Sequence, residues 1–310
     1  MDYNRYGLED NPYEGEVLGV EDTDRFAPIH PIDEADLAKR LKTAIQKRRL
    51  AVFVVTGTSG SGRTATAHHI MGLHKTLHAG QDPASSIAFY ERLHDGNVDP
   101  RQVAREVLGG LGDEVKRLGA YFKDTPAAEL RAGLAGLGAN YTTGDLQSLA
   151  RDFSDAVHNR HATYACSVEN VPSVEVFTGI RAMFEKSQGL LVFTVIGEQR
   201  KAVLGSLQAE QIGHEYLLDN LTDDGACELA RQRWQKANAR PPLPFEMTGL
   251  RKAFHDKPRT VGKSLKTLSY MIDSKLANYP GATFHPDDPG LGFDEQQIRW
   301  NFERFDKGFK

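Results

Sequence analysis

Two hydrophobic periods alternate along the first part of the chain, and only the helical one continues after residue 221. Short apolar runs rich in β-branched and aromatic residues, Leu50–Val55 and Leu190–Ile196 above all, have the length and composition of strands buried on both faces. Ser86–Arg92, Ala162–Val168 and Tyr216–Leu218 are weaker runs of the same kind. Between them lie segments of helical pattern. Ile32–Arg49 sets Leu37, Leu41 and Ile45 four residues apart, and Val174–Lys186 places Phe177, Ile180 and Phe184 on one face. Thr64–His78, Pro100–Leu118, Ala127–Leu137, Leu146–Val157 and Ala202–Gln211 complete the set. This alternation predicts an α/β fold with a central parallel five-stranded sheet flanked by helices, with ligands at the carboxyl ends of the strands.

After Thr222 the segments Asp223–Asn238, Phe245–His255 and Thr260–Tyr279 read as helices, the last with Val261, Leu265, Leu268, Ile272 and Leu276 facing inward. They predict a small helical lid. The expected organisation is an acidic arm over 1–31, an α/β core over 32–221, a lid over 222–280 and an aromatic tail over 281–310, where Phe293, Ile298, Trp300, Phe302 and Phe305 crowd together. At that density the aromatic residues pack back on the domain or dock a partner.

Charge changes this picture locally. The 310 residues carry a formal net charge of −4, which gives no overall attraction to nucleic acid. Residues 1–34 hold ten acidic side chains, whereas Arg251–Lys275 holds seven lysines and arginines against two acids. That basic stretch is either a solvated helix face or a nucleic-acid contact. Cys166 and Cys227 lie far apart in sequence without metal-ligand spacing, so neither a disulfide framework nor a zinc site is indicated. His74 and His78 share a helix face, a solvated face or a metal pair lacking a third ligand. The first residues lack the basic and apolar regions of a signal peptide, and no apolar run approaches the about 18 residues that span a bilayer. A cytoplasmic protein without membrane contact is the expectation.

The candidate chemistry lies directly after the first strand. Gly57-Thr58-Ser59-Gly60-Ser61-Gly62-Arg63-Thr64 fits the phosphate-loop pattern G-x-x-x-x-G-K-[ST] except that arginine replaces lysine. Glycines allow a tight turn that brings successive N–H groups onto phosphate oxygens, and the following helix adds its positive end. Thr64 supplies a hydroxyl suited to Mg²⁺. Arg63 retains the charge but carries a larger, planar and differently aimed fork. The plain alternative is a glycine-rich surface turn.

Loop, strand order and lid together resemble the AAA+ and related STAND branches of the P-loop NTPases, near the origin-recognition and transposition ATPases, over roughly Pro31 to Tyr279. The resemblance implies ATP or ADP with Mg²⁺ as ligands, held by residues 57–64. It also implies an acid at the end of the third strand, which Glu169 matches, as a metal ligand beside Thr64. The next position in active relatives is a catalytic glutamate; here it is Asn170, which is no general base. Thr194 matches the polar sensor on the fourth strand, and Arg259 the basic sensor that reaches the γ-phosphate from the lid. Each has a structural alternative: a polar strand end for Glu169, an ordinary β-branched strand residue for Thr194, and a solvated charge for Arg259.

With both Arg63 and Asn170 altered, the resemblance implies a nucleotide-dependent switch or adaptor with weak or no hydrolysis, partnered by another protein or its own copies. An active ATPase remodelling a protein or DNA–protein complex requires an arginine from a neighbouring subunit, with Arg200, Arg231 and Arg233 as candidates. A DNA-associated loader would use the basic stretch at 251–275. A small-molecule kinase fits the lid less well.

Overall fold

A computed structural model of the chain describes residues 1–14, 18–22, 26–29, 32–79, 86–93, 98–118, 125–206, 213–237, 243–282 and 291–308. The apolar runs form β1 (Leu50–Gly57), β2 (Ser86–Arg92), β3 (Thr163–Val171), β4 (Gly189–Ile196) and β5 (Gly213–Leu218). All pair in parallel, in the order β2-β3-β4-β1-β5. The strand that leads into the glycine-rich loop is therefore interior, with β4 and β5 on either side.

Successive β1 residues point to opposite faces and serve separate cores. Val52 and Val54 join α3 (Pro100–Arg117), α4 (Thr125–Gly136), α5 (Thr143–His158) and α6 (Val174–Phe184) through Val107, Leu111, Phe153 and Phe177. Ala51, Phe53 and Val55 join α1 (Glu34–Lys47) and α2 (Arg63–Ala79) through Leu37, Leu41, Ile70 and Met71. Burial on both faces explains why β1 and β4 read as continuous apolar runs. The helices begin where side chains accept their first free N–H groups: Asp33 caps α1, Ser173 caps α6, and Thr142 with Asp145 makes a reciprocal capping box on α5.

A third core gathers the helices that follow the sheet and residues near both chain ends. After the short α7 (Arg200–Gly205) and β5 come α8 (Asp223–Ala237), α9 (Met247–Asp256), α10 (Val261–Asn278) and α11 (Glu295–Asp306). Trp234 of α8 meets Tyr6 edge-on at 5.7 Å and stacks on Tyr13 at 6.4 Å, so the N-terminal arm is part of this core. The tail residues Phe293, Ile298 and Phe302 pack inward in it as well, and Trp300 remains half exposed.

Several boundaries differ from the sequence expectation for physical reasons. The third strand continues past Val168 to Val171, because pairing with β4 resumes at Val171 after an irregularity in which Asn170 adopts a φ of 59°. The fifth starts at Gly213, its polar first half hidden from a hydrophobicity reading yet paired with Val52–Val54. The tail contains a helix, α11, capped by Asp294. The far ends expected for the helices Ala202–Gln211 and Asp223–Asn238 lie outside the described residues. No helix among the described residues is long and apolar enough to cross a membrane.

Candidate functional site

The glycine-rich loop leaves the carboxyl end of β1 under tight steric limits. Gly57, Gly60 and Gly62 take φ values of 155°, 75° and 92°. A Cβ on Gly57 would stand 2.2 Å from the Leu218 carbonyl oxygen and 2.5 Å from Ser61 Oγ. Only glycine fits there. The chain turns through Thr58 and Ser59, with Ser61 N–H donating to the Thr58 carbonyl at 3.2 Å, and enters α2 at Arg63. The first N–H groups of α2 have no carbonyl one turn back to meet, and they face the turn with the positive end of the helix dipole.

Thr64 Oγ1 donates to Glu169 Oε2 at 2.9 Å, joining the start of α2 to β3. Glu169 is 2% exposed, a buried carboxylate beside a hydroxyl. His68, one helical turn beyond Thr64, reaches the other carboxylate oxygen at 3.3 Å. Its Nδ1 lies 2.7 Å from the Leu18 carbonyl, and because a carbonyl only accepts, this nitrogen donates. The N-terminal arm is thus linked through His68 to Glu169. His69 holds the same arm by stacking on Phe26 at 3.9 Å, and also meets Glu34 at 2.9 Å. Burial lowers the His69 pKa, against the opposing pull of Glu34.

Beside the loop lies a cavity of about 390 Å³, walled by Phe26, Ile29, Leu218, Leu229, Val261 and Leu265. Ser61 Oγ lines it, buried and without a hydrogen-bond partner among the described residues. An apolar cavity beside a polar turn suits a ligand with a flat apolar body and a charged tail. The lid closes over the turn through backbone contact. Gly262 N–H donates to the Gly60 carbonyl at 2.7 Å, and Arg259 C=O accepts from Leu221 N–H at 2.8 Å.

No protein-family model matches the chain, and no curated protein matches it. Solved structures do. The Aeropyrum pernix ORC2 protein, solved as ADPNP-ADP complexes, superposes with a TM-score of 0.58 at 11% identity, over 96% of this chain and 72% of that one. C. elegans PCH-2 superposes at 0.50 and 9% identity, over 92% and 73%. The chain shares its fold with these two proteins.

On this fold the remaining expected site residues separate. Thr194 is 1% exposed, and its Oγ1 accepts from Asn170 N–H at 2.9 Å, so it holds the irregular backbone after Glu169. Arg259 does not reach the loop with its side chain, contrary to the sensor expectation. Its guanidinium is buried in the lid, donating to Thr267 Oγ1 at 2.5 Å and Asp306 Oδ1 at 2.9 Å, with Phe302 at 4.5 Å. Burial draws its pKa down while Asp306 pulls it up. What touches the loop from the lid is the backbone of the first turn of α10, next to Thr260 and Val261.

Much of the basic stretch is engaged within the chain. Arg251 faces Asp224, Lys252 faces Glu295, and Lys257, Arg259 and Lys263 converge on Asp306, while Lys275 is buried. The candidate trans arginines are likewise engaged: Arg200 with Glu215 at 2.5 and 3.0 Å, Arg231 with Glu228, and Arg233 with the Glu14 carbonyl. His74 is 2% exposed and His78 half-buried, so the face they share is covered at His74 and only partly solvated at His78. His68 was the residue sequence reasoning missed. Its signal was the four-residue step from Thr64, which places both on one side of α2.

Proposed function

We propose that the protein binds an adenine nucleotide with Mg²⁺ between the sheet edge and the helical lid, and acts as a nucleotide-dependent switch or adaptor in a protein assembly with slow or no turnover. One observation carries this reading: a positive-φ glycine turn that ends in the Thr64–Glu169 hydrogen bond lies under the first turn of α10. The ADPNP-ADP state of the ORC2 protein supports it.

In this reading the loop backbone over 57–64 cradles the phosphates, Arg63 adds positive charge, and Thr64 with Glu169 would hold the metal. The nucleotide, when bound, supplies a phosphoanhydride open to attack by water. Asn170 offers an amide where a carboxylate would take the water's proton, and an amide takes none at neutral pH. Removing such a base costs ~10² to 10⁴ in rate. The lid rests on the Gly60 carbonyl, so occupancy of the loop and the angle of the lid are coupled through that contact. The engagement of much of the basic stretch and of Arg200 within the chain weighs against the loader and remodelling readings.

Thermal melting with ATP and ADP, with and without Mg²⁺, tests the reading when turnover is followed on the same sample. A midpoint raised by nucleotide, further by metal, and lost in Glu169→Gln for the metal increment is expected. No shift with any nucleotide sinks the proposal, and rapid turnover that rises with protein concentration would replace the switch with an ATPase.

A further inference from the structure

At the far end of α10 lies a second site. Lys275 is fourteen residues beyond Val261, about 21 Å along the helix axis at 1.5 Å per residue. There α10 and α11 flank a groove of about 580 Å³. Three kinds of group converge on it. Trp300 presents a half-exposed indole, with the Arg304 guanidinium 4.5 Å from its ring centre. Lys275, only 6% exposed, is among the residues that line the groove, and its Nζ donates to Gln297 Oε1 at 2.9 Å and lies over the rings of Tyr279 and Phe293 at 4.7 and 5.0 Å. Asn301, 5% exposed, donates through Nδ2 to the Gln297 carbonyl at 2.8 Å, and its Oδ1 is buried without a donor among the described residues.

An unpartnered acceptor on a residue that lines a groove calls for an N–H from a ligand. A buried ammonium with a single hydrogen-bond acceptor calls for an anion. A half-exposed indole beside a guanidinium calls for a flat ring. Among the described residues Glu303 is the one carboxylate on the walls, facing Arg299 at 3.6 Å, against the cations of Lys275, Arg299 and Arg304. An acidic peptide side chain would answer the cations and leave the indole face and the Asn301 acceptor unused.

We propose that this groove binds a nucleotide unit, an aromatic base bearing a phosphate, presented either free or within a single strand. The base stacks on Trp300 and donates a ring N–H to Asn301 Oδ1, and the phosphate is held by Lys275 and Arg304. This site is separate from the glycine-rich loop and does not rest on the function proposed for that loop.

The test uses the full chain in the presence of a chelator, with tryptophan fluorescence and the anisotropy of a labelled short oligothymidylate as readouts. Free thymidine monophosphate is titrated in parallel. Thymine carries the ring N–H that Asn301 would accept. Saturable quenching by the strand alone assigns the site to single-stranded nucleic acid, and quenching by both assigns it to the free unit. Trp300→Leu and Arg304→Ala, at side chains outside the core, should each weaken binding about tenfold while melting stays unchanged. Lys275→Met should do the same if it folds. The proposal is overturned if neither probe binds saturably, if Trp300→Leu and Arg304→Ala bind as wild type, or if an abasic strand or an acidic peptide binds as tightly as the oligothymidylate.

Discussion

Two buried charged centres stand on either side of the Gly60–Gly262 contact, and they are built in opposite ways. Glu169 lies behind a backbone turn whose shape leaves room for a ligand, with Thr64 and His68 on its two oxygens. Arg259 is closed within the lid, answered by Thr267, Asp306 and two aromatic rings. Both are charged residues that the resemblance read from the sequence implies as nucleotide contacts. Glu169 is placed by the sheet register of β3 and met by α2, whereas Arg259 is held by Thr267 of its own lid and by Asp306 of α11. The second is turned away by α11, nearly fifty residues further on. Motif spacing thus predicts direction where the backbone alone sets it, and loses that power where a distant helix supplies the partners.

The largest expected effect attacks the first centre. Gly57→Ala would drive a Cβ into the Leu218 carbonyl oxygen at 2.2 Å, and should lower stability in urea unfolding by ~4 kcal/mol through clash and backbone strain together. Arg259→Met probes the second. It removes the buried partner of Asp306 and should cost about 3 kcal/mol in the same measurement. Because the side chain points away from the loop, its effect on nucleotide affinity should stay below about threefold, equivalent to ~0.7 kcal/mol. A large loss of affinity with little loss of stability would reverse the contrast between the two centres.

Much of this arrangement was legible in the chain. Continuous apolar runs marked β1 and β4 because both faces of those strands are covered, and the glycines at 57, 60 and 62 marked a turn that other residues cannot make. The polar first half of β5 was hidden, since His214 and Glu215 earn their places by pairing with β1 and Arg200 instead of by apolar burial. The tail helix escaped notice because its aromatics were read by density and not by spacing. His68 and the inward turn of Arg259 depend on contacts between segments far apart in sequence, which periodicity does not carry.

A pH series sharpens the core side of the comparison. Burial, then the neighbouring His78, lowers the His74 pKa from 6.5 to about 3. The unfolded chain takes up this proton first, so the contribution is fully present above about 6.5 and declines as pH falls from there toward 3. Stability should fall by ~2 kcal/mol between about pH 7 and pH 5 from this group, and His74→Leu should flatten that slope. The smallest effect falls on the contact between the two centres. Gly60→Ala forces a side chain into φ 75° with Thr260 Oγ1 3.3 Å from its Cβ, and should cost ~1 kcal/mol, read as a shift in thermal midpoint.

Calorimetric titration of ATP with Mg²⁺ into the wild type and Thr64→Ala proteins tests the central claim most directly. The account predicts saturable binding at one site per chain, weakened about tenfold or more when the Thr64 hydroxyl is removed. Absence of binding to the wild type, or equal affinity in the two proteins, would contradict it.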